Sequence, residues 1–111
     1  MGTLYKVLGQ AQGTAALGTY ATLYTVPAAT GTIVSTISVC NTSTTDYKFR
    51  VALATTTTPA SANWIAYDST VAGNDTSFIT VSLCMDTTYK YLIVSSENVA
   101  VSFTACGSEI S

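Results

Sequence analysis

Cys40, Cys84 and Cys106 stand far apart along the chain, with no CxxC pair among them and no histidine anywhere to join them. Structural zinc needs closely organised sulfur or imidazole ligands, so this spacing argues against the usual zinc frameworks. The lack of histidine also removes the commonest general base and the usual partner of a serine or cysteine nucleophile. Acid–base chemistry would fall to six carboxylates, Asp46, Asp68, Asp75, Asp86, Glu97 and Glu109, two of which could in principle serve a glycosidase. Asp46, Asp75, Asp86 and Glu97 sit in segments that read as turns, where an acidic side chain caps its own backbone. Neither a calcium-loop spacing nor a glycine-rich phosphate loop occurs. The expectation is no catalytic residue, no metal site, no cofactor and no enzyme.

Trp64 and Tyr67, in "NWIAYD", offer a different chemistry: an aromatic platform for a sugar ring, with Asn63 or Asp68 orienting hydroxyls. A regular strand sends residues 64 and 67 to opposite faces, so they share a platform only if a β-bulge intervenes. They therefore read first as core aromatics with polar tips at the rim, and Trp64 stays as the candidate glycan contact. The sequons "NTS" at Asn41 and "NDT" at Asn74 read as turn residues.

The elements that must position these residues alternate with period two, and none carries a helical stripe. Strands are predicted over Leu4–Leu8, Thr19–Val26, Thr32–Cys40, Tyr47–Ala54, Trp64–Val71, Phe78–Leu83, Tyr89–Val94 and Val99–Ala105, separated by turn-rich segments. The class is all-β: a small antiparallel β-sandwich, jelly-roll-like or Ig-like, of about eight short strands with an N-terminal arm. Leu23–Ser43, "LYTVPAATGTIVSTISVCNTS", reads as an uncharged hairpin turning at Pro27 and Gly31. Inward sets are expected at Tyr47, Phe49, Val51 and Leu53, at Ile79, Val81 and Leu83, and at Val99, Val101 and Phe103. The whole chain, 1–111, reads as one domain, with residues 1–18 as an extended arm and linker. Leu4, Tyr5, Val7 and Leu8 form the arm, which would add as a strand to a sheet edge, its own or a neighbour's. The Gly/Ala-rich stretch Gly9–Tyr20 reads as its linker or as a long flexible loop.

The same phase argument locates the thiols. In "TIVSTISVC" the inward set is Ile33, Ile37 and Val39, leaving Cys40 outward with Thr36 and Ser38. Cys84 goes with Thr80 and Ser82, and Cys106 with Ser102 and Thr104. Outward thiols make inter-subunit or disulfide roles worth testing; a buried free cysteine is the alternative.

Composition bears on partners. Four basic and six acidic residues give a net charge of −2, and apolar residues make up 48% of the chain. Ten charged side chains at about 100 Å² each would cover only about a sixth of a folded surface of roughly 5,800 Å². Such a surface suits contact with other protein more than free diffusion. The basic residues Lys6, Lys48, Arg50 and Lys90 are scattered, which argues against nucleic acid. No apolar run is long enough to span a bilayer, so no membrane partner is expected. "MGTLYKVLGQ" has neither the basic nor the apolar region of a secretory signal, so synthesis in a cytoplasm is expected.

In order along the chain, "YKVLGQ", "LYTVPAATGTIVSTISVCN", "FRVALA", "WIAYDSTVAGNDTSFITVSL" and "VSFTACGSEIS" resemble segments of a group of small structural proteins of tailed bacteriophages. The departures are "TTTTPASANW", where that group often has a shorter Ala/Gly-rich stretch, and Cys106, where an apolar residue is common. The resemblance implies a virion protein made in the bacterial host cytoplasm. Its role would be capsid decoration or cement, or that of a tail, neck, collar or fibre-associated component. It also implies a homo-oligomer, a trimer favoured, contacting other virion proteins such as a major capsid protein.

Overall fold

The structure, a computed structural model, describes residues 3–110. Eight strands account for most of them: β1 (Thr3–Gln12), β2 (Ala21–Thr25), β3 (Gly31–Asn41), β4 (Tyr47–Ala54), β5 (Trp64–Val71), β6 (Asp75–Met85), β7 (Tyr91–Ser96) and β8 (Val101–Ile110). A single 3-10 turn, Ser61–Asn63, precedes β5. The strands form two four-stranded antiparallel sheets ordered β1-β8-β3-β6 and β2-β7-β4-β5. This is the jelly-roll order, in which the chain passes back and forth between the sheets, and it replaces the Ig-like alternative. Among consecutive strands only β4 and β5 pair with each other.

One expectation is corrected at once. Leu23–Ser43 is not a hairpin: β2 pairs with β7, whereas β3 lies between β8 and β6 in the opposite sheet. Pro27 and Gly31 bracket a crossing between sheets, which local turn chemistry does not distinguish from a hairpin turn.

The core fills the space between the inner faces. Val34, Ile37 and Val39 of β3, Phe49 and Val51 of β4, Leu92 and Val94 of β7, and Val101 and Phe103 of β8 are all buried within it. Phe49 and Phe103 meet edge to face across the sheets, with centroids 6.1 Å apart. Ile79, Val81 and Leu83 of β6 pack against this cluster as alternation requires, and Tyr47 and Leu53 of β4 complete their inward set. Two residues depart from the expected phase. A register shift between Val34 and Thr36 turns Ile33 outward and Val34 inward, because one extra residue reverses the side-chain alternation. Val99 precedes β8 in a turn and is exposed.

β1 is longer than the expected arm, and its first and last residues pair with Ile110 and Ser102 of β8 in the same chain. The segment thus forms an edge strand of the domain's own sheet, and Gly9–Gln12 of the expected linker belongs to it. Leu4 pairs through its backbone with Glu109, while its side chain lies outside the described residues. Leu8 and Ala11 pack on the core, whereas Tyr5 and Val7 point out of the sandwich. Gly9 sits where β1 passes against β2: a Cβ there would collide with the Leu23 carbonyl oxygen.

Candidate functional site

Each of the six acidic side chains has a structural partner. Asp46 accepts the Gly73 amide at 2.9 Å, Asp75 the Thr76 amide at 2.8 Å, and Glu97 the Lys48 amide at 2.6 Å. Asp86 accepts the Tyr89 and Thr88 amides, which in that order hold its carboxyl below the ordinary aspartate range. Glu109 sits at one end of the sandwich, where Lys6 pairs with it at 2.7 Å and the Tyr24 hydroxyl donates to its other oxygen. Lys6 first, then Tyr24, draws the Glu109 carboxyl below its usual value. Burial, reinforced by the neighbouring carboxylate, pushes the Tyr24 hydroxyl up to about 12. Asn41, of the first sequon, is buried: its Nδ2 donates to the Thr45 and Val71 carbonyls and its Oδ1 accepts from the Ser43 amide and hydroxyl. Among the described residues no group of three acidic or cysteine side chains is placed to hold a metal ion.

The two outer sheet faces differ in kind. On the β2-β7-β4-β5 sheet, Ala52, Ala54 and Ile93 are buried although they point away from the main core. Tyr20, Trp64 and Tyr91 cover them. Two irregularities in the pairing of β4 with β5 build this cap. Ile65 and Ala66 both pack on the main core, so Tyr67 returns to the outer face with Trp64. Tyr67 and Asp68 together then oppose Arg50, and Asp68 takes the left-handed conformation with φ 54°. The opposite-face placement expected from strand spacing is therefore overturned by a bulge. Trp64 and Tyr67 meet edge to face, with centroids 5.2 Å apart.

Arg50 completes this cluster. Its Nε donates to Asp68 Oδ1 at 2.6 Å, and its guanidinium lies 4.1 Å from the Tyr67 ring centroid. That hydrogen bond holds the Asp68 carboxyl below its usual range. Ser61, Trp64 and Tyr67 line a shallow open depression of about 400 Å³ beside it. Asn63 and Asp68, the expected hydroxyl-orienting groups, are occupied elsewhere: Asn63 Oδ1 accepts the Ala60 amide and Asp68 holds Arg50. Ser61, Tyr20 and Arg50 carry no site signal in the sequence, because they come from three separate segments that only the fold brings beside Trp64.

The outer face of the β1-β8-β3-β6 sheet has no such cover. Strand register orders it in rows: Tyr5, Ser108, Ile33, Cys84; then Val7, Cys106, Thr36, Thr80; then Gln10, Thr104, Ser38, Phe78; then Gln12, Ser102, Cys40, Thr76. No charged residue stands in these rows. All three cysteines lie here as free thiols, Cys84 exposed and Cys40 and Cys106 half-buried. Phe78 is 68% exposed, Tyr5 60%, Val7 55%, Ile110 40% and Ile33 38%, so that, among the described residues, most of the exposed large apolar side chains lie on this one face.

Neither a protein-family model nor a curated protein sequence matches the chain. Solved structures do. A chain of the cyanophage Pam1 capsid asymmetric unit superposes with a TM-score of 0.54 at 18% identity, over 96% of this chain and 83% of that one. A chain of infectious bursal disease virus, Gx strain, superposes at 0.49 with 13% identity, covering 96% of this chain, which spans 31% of that chain. At 18% identity and near-complete coverage, this chain shares its fold with a chain of the cyanophage Pam1 capsid.

Proposed function

We propose that the protein is a non-enzymatic structural component of a bacteriophage virion, a capsid decoration or cement protein that stabilises the shell through buried contact area. The observation that carries this reading is the uncharged, apolar-studded outer face of the β1-β8-β3-β6 sheet, on a fold shared along nearly the whole chain with a cyanophage capsid chain. Repeated many times on a shell, a face of this kind contributes through desolvated area in each copy. Its partners would be other virion proteins, such as a major capsid protein, and its place the virion, after synthesis in the host cytoplasm. Six carboxylates engaged in capping and ion pairs accord with a structural role. Quantitative mass spectrometry of purified particles tests it. Hundreds of copies per particle support the shell, a few tens or fewer point to a tail, neck, collar or fibre position, and absence from the particle overturns the reading.

A second reading has its own observation. The bulges of β5 set Trp64 and Tyr67 on one outer face beside Ser61, an arrangement able to hold a pyranose ring against aromatic carbon. Glycan-array binding that disappears in Trp64→Ala supports a carbohydrate-binding module for host attachment; an array without signal removes it.

A further inference from the structure

We propose that the outer face of the β1-β8-β3-β6 sheet docks on the same face of a second copy of this chain, about a two-fold axis running along the strands. The inference concerns the isolated chain and stands whether or not the virion reading holds.

The asymmetry between the two sheets motivates it. Tyr20, Trp64 and Tyr91 close the outer face of one sheet, while the other leaves Phe78, Tyr5 and Val7 in water. Four strands about 4.8 Å apart and some nine residues long give a face of about 19 Å by about 30 Å, roughly 600 Å². Each partner in a standard stable interface contributes about 800 Å² of accessible surface, so the face is of suitable size.

The choice of occupant follows from charge and from the rows. A face without charge meets its own copy with no like-charge contact, whereas a charged partner would find no complement on it. A two-fold axis along the strands keeps each row at its height and reverses its order, so β1 of one copy lies over β6 of the other. Large side chains then meet small ones. Tyr5 falls opposite Cys84, Val7 opposite Thr80, and Ile33 opposite Ser108. Phe78 falls opposite Gln10, which lies down along its own sheet with Nε2 3.4 Å from Thr104 Oγ1. Knobs at one lateral edge thus match hollows at the other, the isologous self-complementarity that a two-fold interface requires. Two sheets packed face to face in this way lie about 10 Å apart. The family resemblance implies a trimer; a flat face packed on its own copy closes at two.

Charge placed on the face provides the test. Val7→Lys and Thr80→Glu each set a charge in the contact, three strand spacings or about 14 Å apart within one copy but opposite each other across the axis. Sedimentation of the full chain at rising concentration reads the association, and thermal melts confirm that each variant folds. The wild type is expected to form dimers, each single variant to weaken them about tenfold or more, and the double variant to regain most of the affinity. Tyr89→Glu, off the face, should leave association unchanged. Four results would overturn the proposal: a wild type still monomeric at about 500 μM, a trimer, single variants without effect, or a double variant no better than the singles.

Discussion

Thr14 and Ser96, 82 positions apart in sequence, exchange four hydrogen bonds of 2.9 to 3.1 Å. Each residue's amide donates to the other's hydroxyl oxygen, and each hydroxyl to the other's carbonyl. The pair fastens the β1–β2 connection to the end of β7, and the Gly13 amide donates a hydrogen bond of 2.6 Å to the Val101 carbonyl. Either Thr14→Ala or Ser96→Ala strands partly buried backbone groups and is expected to cost about 1–3 kcal/mol. Because the bonds are shared, the double variant should lose less than the sum, measurable by urea unfolding in a double-mutant cycle. Additive losses would show that the two residues act separately.

Asp68 combines a left-handed backbone with the ion pair that holds Arg50 over Tyr67. Asparagine tolerates that conformation and a β-branched residue does not, so stability should fall in the order Asp68, Asp68→Asn, Asp68→Val. Asparagine keeps an Oδ1 acceptor for Arg50 Nε without the charge, whereas valine releases Arg50, so the emission of Trp64 should shift most in Asp68→Val, since the guanidinium lies 5.7 Å from its ring centroid. An unchanged spectrum would mean that packing alone positions the ring.

The Lys6–Glu109–Tyr24 cluster predicts two limbs in a plot of stability against pH. The folded-state carboxyl of Glu109 lies below its ordinary value, so its contribution is present above the usual glutamate range and is lost as pH falls through the depressed value. Tyr24 is raised to about 12, so its contribution is complete below the ordinary tyrosine value of 10.0 and is lost as pH rises from there to about 12. Chemical denaturation across pH should show the acid limb flattened by Glu109→Gln and the alkaline limb by Tyr24→Phe. A Tyr24→Phe profile with an unchanged alkaline limb would assign that limb to other tyrosines.

The thiols should react without unfolding, since all three lie on one outer face. Cys84, exposed on the edge strand β6, is expected to react first with a chromogenic disulfide reagent at low protein concentration, and half-buried Cys40 and Cys106 more slowly. Peptide mapping after partial labelling ranks them. Labelling of Cys40 before Cys84 would contradict the register of β6.

Alternation alone determined that the chain is all-β with eight strands, though not their bounds, and which way its cysteines point. Strand-facing is a local property with period two, so Cys84 and Cys106 follow from their neighbours Ser82 and Thr104 wherever a strand stays regular. Partner choice is not local. The backbone of β2 could have paired with β3, its nearest neighbour in sequence, and only burial between two sheets placed it on β7. The bulges obey the same rule: the residue inserted beside Val34 and the one that sets Tyr67 next to Trp64 have no marker in their own segments. An extra residue disturbs its own strand little, and its position is decided by fit to the strand across the ladder. Tertiary packing therefore decided that Ile33 faces out, that an arginine-braced aromatic cap seals one sheet, and that the other sheet's outer face stays bare.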